Sequence, residues 1–268
     1  MKINMKSITS HRIKAFLYRH WSEVVATIDR KVDIIFWPTI DLLAFGLLTV
    51  YINKLNVETG VASAILGGLI LWTLVYNIQR DITVSLLEDA WSRNLYNLFS
   101  SPLSIGEVII GTLILSLIKA LVTISFLLFL SWSLFNFNLI NFGLPIIFFV
   151  FNIFIFGWAF GYITSSLIFR FGGRVQILAW SLIAILYPIS GVFYPLDTLP
   201  VFLAKIAKMF PVSYIFEGLR NLILTGALPH ISTLVITVAL NGAYLALGIF
   251  LYVAGYKHAK KRGWFIHP

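Results

Sequence analysis

Long apolar runs separated by short polar stretches make up most of the chain. A helix needs about 20 apolar residues to cross a bilayer, and six of the runs come close to that length. We therefore predict an all-α integral membrane protein with a six-span domain over residues 34–254. The predicted spans cover residues 34–52, 61–78, 108–135, 144–169, 175–194 and 232–254.

The first 33 residues follow a different pattern. From Ile13 to Ile28, apolar residues recur at spacings of three and four, whereas Lys14 and Arg19 lie off that stripe. A basic amphipathic helix with Trp21 on its apolar edge is typical of a membrane surface. Residues 1–33 are thus predicted to form an interface helix on membrane lipids, although a helix packed on a partner domain has the same pattern.

Two further stretches interrupt the spans. Residues 79–107 are polar with helical character, and they predict a loop between the second and third spans. Residues 195–226 mix prolines and charges with apolar residues, and each proline stops or starts a helix. The two short helices predicted there, about 199–209 and 212–224, are too short to cross a bilayer, so we expect a re-entrant unit. Its expected key residues are Pro195, Asp197, Pro200, Pro211, Glu217 and Arg220, with the last two spaced to form an ion pair.

Composition excludes a soluble globular protein. The chain is 59% hydrophobic and only 12% charged, whereas soluble domains carry about 25% charged residues. Fifteen of its 20 Lys and Arg residues fall on the side of the predicted membrane domain that holds both termini. The positive-inside rule therefore places the termini, including a basic tail over 255–268, in the cytoplasm, with the spans in the cytoplasmic membrane. This distribution explains the net charge of +9 without nucleic acid as a partner.

The chain offers little catalytic chemistry. It has no cysteine, and its five histidines are scattered over tails and a loop, which favours surface histidines over a catalytic or metal site. The G-x-x-x-x-G-K-[ST] motif, which binds nucleotide phosphates, does not occur in the sequence. If ATP hydrolysis drives this protein, we therefore expect the ATP and its Mg to be bound by another chain. Asp41 and Lys119 are the charges predicted within spans, where an unpaired charge costs about 3 kcal/mol or more. We expect them either to pair with each other or to line a transport pathway.

Two segments resemble the ABC-2 permease family, the membrane subunits of type-2 ABC exporters. "SGVFYPLDTLP" with "FPVSYIFEGLRNLILTG" is similar to the family's two re-entrant helices before the last span. "LLEDAWSRNLYNLFSSPLSIGEVIIGTLIL" is similar to its coupling helix, which docks on the ATP-binding subunit, although Glu88-Asp89-Ala90-Trp91 stands where relatives often have Arg-Glu-Arg. The resemblance assigns coupling contacts to Glu88, Asp89, Trp91, Leu95, Leu98 and Phe99.

The resemblance implies a non-catalytic permease subunit that binds no cofactor itself. It would move an amphipathic drug-like or lipid-linked substrate outward with two copies of an ATP-binding subunit. One six-span chain provides half a pathway, so a second copy or a related permease is expected. A polysaccharide exporter is the alternative within this class. Two alternatives of other classes are an ion-coupled transporter and a membrane-embedded lipid enzyme. The first needs several paired acids in its spans, and the second needs carboxylates, histidines or metal ligands at one membrane face. The sequence shows neither set, apart from Asp41 in a span.

Overall fold

The computed structural model describes residues 9–55, 60–92 and 94–262, and every regular element in those ranges is helical. Three short 3₁₀ turns and one π-helical turn, Val32–Phe36, join the α-helices. The α-helices are α1 (Ser10–Ala26), α2 (Ile28–Lys31), α3 (Trp37–Lys54), α4 (Val61–Trp91), α5 (Leu95–Ser100), α6 (Ile105–Phe135), α7 (Leu144–Phe171), α8 (Leu178–Ala184), α9 (Val201–Ala207), α10 (Pro211–Thr225) and α11 (Ile231–Arg262).

Within the described residues, five helices are long and apolar enough to cross a membrane: α3, α4, α6, α7 and α11. The central two are α4 and α7, whose most apolar stretches are 72% and 61% buried. The other three are only 17–28% buried there, so they present apolar side chains outward. This arrangement confirms the predicted all-α membrane fold, with a core built on α4 and α7.

Helix α4 is longer than the predicted second span. The prediction placed a loop from residue 79, but the helix continues without a break to Trp91. Its polar residues there find partners inside the bundle: Gln79 Nε2 donates to Thr164 Oγ1 of α7 at 3.2 Å. The polar stretch therefore packs inside the bundle without ending α4, and the segment between spans two and three begins only after Trp91.

The predicted fifth span, residues 175–194, does not form one long helix. It contains the seven-residue α8 followed by successive turns to residue 190. Pro188 explains the change, because it has no N–H to donate to the Ala184 carbonyl, which instead accepts from Tyr187 N at 3.1 Å. The sequence prediction of a continuous helix is therefore corrected to a short helix followed by turns.

This segment, residues 175–194, which we call the irregular crossing, nonetheless runs along most of α4. Near its start, Gln176 Oε1 accepts from Trp91 Nε1 at 3.1 Å, and near its end the Val192 carbonyl lies against Gly68. A Cβ on Gly68 would stand 2.5 Å from that oxygen, so only glycine permits the contact. Trp91 and Gly68 are about 34 Å apart along the helix. The segment covers this distance at about 2 Å per residue, which is the rise of a 3₁₀ helix.

The bundle has two distinct ends. At the first, which we call the termini end, α1 meets the start of α6 and the end of α11 lies beside Trp91. At the second, the opposite end, Leu224 of α10 lies beside Gly60 at the start of α4. The predicted short helices are present at the opposite end as α9 and α10, and α10 ends at Gly226 as its sequence indicated.

Candidate functional site

Helix α1 is fixed to the termini end by one buried carboxylate, that of Glu107. Ser104 and Glu107 form a capping box at the start of α6, with Ser104 N donating to Glu107 Oε2 at 2.7 Å and Glu107 N donating to Ser104 Oγ at 3.2 Å. The other oxygen of Glu107 accepts from Thr9 N at 2.9 Å and lies 3.8 Å from Arg12 Nη1. One side chain therefore joins the beginnings of α1 and α6.

Packing reinforces this joint. Phe16, His20 and Val24 form the buried face of α1. A Cβ on Gly111 of α6 would lie 2.5 Å from Phe16 Cδ1, so glycine makes room for the ring. The prediction that the histidines are surface residues is wrong for His20, which is 1% exposed. Trp21, placed on the apolar edge by the sequence, is exposed.

Asp89 connects α1 to the end of α4. Arg19 donates to its carboxylate, and His20 Nε2 lies 3.9 Å from its second oxygen. Its backbone carbonyl accepts from Asn94 N at 2.8 Å, which positions the turn into α5. Asp89 is 4% exposed, so this predicted coupling residue positions the surface rather than forming it.

An apolar recess lies beside this joint. Its cavity of about 130 Å³ is lined by α4, α5, the end of α7 and the end of α11. Trp91 forms one wall and is 52% exposed, and Leu95 is half-buried beside it. Glu88 is half-buried as well. The side chains of Leu98 and Phe99 lie outside the described part of the structure. The recess thus brings together two of the predicted coupling residues.

A polar groove of about 460 Å³ runs next to the recess, between α1 and the segment after α5. Arg12 and Arg19 line one side, and Asn94 and Asn97 line the other. Arg12 Nη1 also donates to the Pro102 carbonyl at 2.9 Å, which holds the far wall in place. The termini end therefore presents an apolar recess beside a polar groove whose two arginines are paired with Glu107 and Asp89.

Arg220 organises the opposite end. Its Nη1 donates to Glu217 Oε2 at 3.2 Å, the pair that the spacing predicted, and its Nη2 donates to the carbonyls of Gly191 and Val192. Glu217 Oε2 also accepts from Leu196 N at 3.3 Å. Burial lowers the pKa of the Arg220 guanidinium, and the nearby acids partly offset this. These bonds join α10 to the end of the irregular crossing.

The remaining predicted residues of this unit mark its breaks. Pro195 precedes the 3₁₀ turn Leu196–Thr198, and Pro200 precedes α9. Pro211 is the first residue of α10, where its missing N–H costs nothing. Asp197 is exposed on the turn. The prolines therefore set the boundaries of the short helices, and the Glu217–Arg220 pair holds them on the bundle.

Lys119 pairs with Asp81, not with Asp41. Lys119 Nζ lies 3.3 Å from Asp81 Oδ1, and the two side chains are 10% and 13% exposed. The sequence did not identify Asp81 because it fell in the predicted loop. Had α4 been continued past residue 79, Asp81 and Lys119 would have been placed on neighbouring antiparallel helices.

Asp41 lies instead at a cavity of about 310 Å³ between α3, α4 and the irregular crossing. Aromatic side chains make up much of the wall, and Thr73, Asn77 and Arg80 are polar members of it on α4. The lining residues are Trp37, Pro38, Asp41, Phe45, Leu69, Trp72, Thr73, Tyr76, Asn77, Arg80, Ala184 and Tyr187. The second predicted pathway residue is thus separated from Lys119 and faces its own chamber.

Comparison with known proteins agrees with this architecture. A model of the ABC-2 type transporter family matches residues 12–224, from within α1 to the last turn of α10, and covers the two segments on which the resemblance rests except for Thr225 and Gly226. A search of curated proteins found no match to the sequence. Because the family model covers most of a chain with this helical membrane fold, the protein belongs to the ABC-2 type transporter family and is a multi-pass membrane permease rather than a catalytic enzyme.

Proposed function

We propose that this permease subunit works in an ABC exporter whose two ATP-binding subunits dock at the termini end. Family membership supports partnership with an ATP-binding subunit. The observation that carries the proposed location is the recess at Trp91 and Leu95 beside the groove of Arg12 and Arg19. An exposed apolar recess with a polar rim is typical of a protein interaction site.

The joints around the recess supply a route for mechanical coupling. Glu107 and Asp89 tie α1 to both α6 and α4, so these helices move together when the surface is pushed. Helix α4 then runs unbroken from Trp91 past the Asp41 cavity to Gly68 and the opposite end. Closure of the ATP-binding subunits would thereby be transmitted as a rigid-body motion.

The termini end is proposed to face the cytoplasm, and the substrate to move outward. The bias of Lys and Arg towards this end supports that orientation. We further propose a dimer of two such chains, because α3, α6 and α11 leave apolar faces uncovered and the Asp41 cavity of one chain is a chamber of about 310 Å³. An amphipathic substrate is favoured over a polysaccharide, because that chamber is lined mainly by aromatic and aliphatic groups.

The test is co-purification from native membranes in mild detergent. We expect a soluble chain with a P-loop to accompany the wild type at about equal stoichiometry. Trp91→Glu with Leu95→Glu should abolish this association, because two charges would enter the recess. Phe202→Glu, at an exposed apolar residue of α9, is the matched control and should retain it. A wild-type protein that purifies without any ATPase would overturn the proposal.

A further inference from the structure

The carboxylate of Asp41 has no ion-pair partner among the described residues, although Arg80 lines the same cavity. Asp41 lies near the start of α3, directly after the π-helical turn and Pro38. In the part of the chain that the structure describes, no hydrogen bond or ion pair reaches its carboxylate. The other acid within the long helices near this depth, Asp81, has Lys119 as its partner. Since a lone charge in a membrane interior is costly, the positive charge that balances Asp41 is expected to come from a ligand.

The walls around Asp41 are suited to a cation. Tyr187 lies against Trp72 with ring centroids 4.7 Å apart, and its other neighbour is Phe193 at 5.3 Å. Phe193 in turn stacks on Phe45 at 4.6 Å. Phe45, Trp72 and Tyr187 line the cavity, and Phe193 packs behind them. Aromatic faces attract positive charge, most strongly where water is excluded.

Arg80 does not cancel this preference. Its guanidinium carbon lies 5.5 Å from the centroid of the Tyr76 ring, and the residue is 7% exposed. Its charge is therefore held against an aromatic face, whereas Asp41 is exposed towards the open side of the cavity. Asn77, one turn along from Arg80, is 5% exposed and its Nδ2 has no hydrogen-bond partner. The chamber thus offers the Asp41 carboxylate to a cationic group, whereas the Asn77 amide N–H is suited to a polar acceptor on the same ligand.

We propose that this cavity binds an amphipathic organic cation, with the positive group beside Asp41 and the apolar body against Phe45, Leu69 and Trp72. The volume of about 310 Å³ suits a drug-sized molecule or the cationic end of a larger one. This inference rests on the proposed function, since it names the substrate class of the same exporter. It selects cations over neutral or anionic amphipaths of equal apolar surface.

The probe is tetraphenylphosphonium, and the sample is the full chain in lipid nanodiscs. Binding is followed by quenching of tryptophan fluorescence, since Trp37 and Trp72 line the cavity, with equilibrium dialysis as a second readout. We expect saturable binding that Asp41→Asn weakens about tenfold or more, whereas Asp41→Glu stays within about threefold of the wild type. Asp197→Asn removes the same charge from an exposed turn and should leave binding unchanged.

A neutral analogue of the probe tests charge selectivity on the wild-type protein, without relying on a variant. Triphenylphosphine oxide has similar aromatic surface without the charge, so the wild type should bind it at least about tenfold more weakly than the cation. Asp41→Asn should not weaken it further. Equal affinity of the wild type for both compounds, or equal cation affinity of the wild type and Asp41→Asn, would overturn the proposal.

The same variants separate this inference from the proposed exporter function. Asp41→Asn should co-purify with the ATPase as the wild type does, because the cavity is remote from the recess. Charge-selective binding without an ATPase partner would leave the cation site standing and refute the exporter assembly. An intact ATPase complex in which Asp41 has no effect on cation binding would refute the cation site alone.

Discussion

At each end of the bundle, one buried charged side chain bonds to backbone groups and joins two segments, and the two charges are opposite in sign. At the termini end, the buried Glu107 accepts backbone N–H groups from Thr9 and Ser104. At the opposite end, the buried Arg220 donates to the backbone carbonyls of Gly191 and Val192. Each side chain joins two segments by satisfying backbone groups that would otherwise lack partners. The sign of each charge follows from the groups available, which are N–H at helix starts and C=O where a segment ends.

The ends differ in what they leave uncovered. At the opposite end, Arg220, Glu217 and the Gly68 contact are internal to one chain, although Val201 and Phe202 of α9 are exposed apolar side chains outside the recess and the groove. At the termini end, Trp91 borders the apolar recess, and the groove of Arg12 and Arg19 is open beside it. A rigid support under an open apolar and polar surface is what a docking site for a moving partner requires. The buried residues Glu107 and Asp89 therefore position that surface without being part of it.

The largest effect is expected between the two ends, at the Lys119–Asp81 pair. Lys119→Met leaves a buried carboxylate without its partner, which costs about 3–5 kcal/mol. We expect a lower membrane yield and a lower apparent melting temperature in detergent. Replacing both residues, with Lys119→Met and Asp81→Leu, should recover much of the loss. If the single variant Lys119→Met is as stable as the wild type, the Lys119–Asp81 ion pair does not stabilise the fold.

Arg220→Met should follow in size. It removes charged hydrogen bonds to two buried carbonyls and to Glu217, for a loss of about 3 kcal/mol. The matched control is Lys205→Met, which removes an exposed cation from α9. Limited proteolysis should detect release of the α9–α10 unit in the first variant only. Equal protection of both variants would contradict the assigned role of Arg220.

Two glycines of α6 test the termini end at a smaller scale. Gly111→Ala places a methyl against Phe16 and should cost about 1–3 kcal/mol. Gly106→Ala meets only Ser104 Oγ at 4.0 Å and should be neutral or stabilising by up to about 1 kcal/mol. Gly111→Ala should therefore lower the unfolding temperature, whereas Gly106→Ala should leave it unchanged or raise it. A common shift would show that Phe16 does not pack on α6 at this point.

Glu107→Gln should have the smallest effect of the set. The amide keeps one acceptor but loses the charge at the start of α6, so we expect a loss of about 1 kcal/mol. Spin-label mobility on α1 should increase while that on α10 stays unchanged. Equal loosening of both helices would mean that the two ends do not behave as separate joints.

The sequence predicted the fold well where its signals were local. Apolar run lengths located the five long helices, and Pro200, Pro211 and Gly226 located α9 and α10. It failed where the deciding partner was distant along the chain. In the continuation of α4, Gln79 donates to Thr164 of α7, a contact between residues far apart in sequence. Pro188, by contrast, was a local signal for the irregular crossing that the apolar pattern concealed.

The candidate site shows the same division. Trp91 and Leu95 were assigned from the resemblance, and the structure places both around one recess, which the resemblance did not predict. Asp89 was assigned to the partner contact, yet it binds Arg19 and lies beside His20, because α1 folds back onto the end of α4. The partner of Lys119 and the aromatic wall around Asp41 each join elements far apart in sequence. No periodicity within one segment carries that information.

An ATP-binding subunit is proposed to dock at the termini end and not at the opposite end. The sequence has no cysteine, so Ser92→Cys, next to the intact Trp91, and Thr198→Cys each introduce a single thiol at an exposed position. Native membranes carrying either variant would be treated with a thiol-to-amine cross-linker, and the adducts identified by mass spectrometry. We expect Ser92→Cys to cross-link to a P-loop ATPase and Thr198→Cys to give no such adduct. An ATPase adduct at Thr198→Cys, or its absence at Ser92→Cys, would refute docking at the termini end.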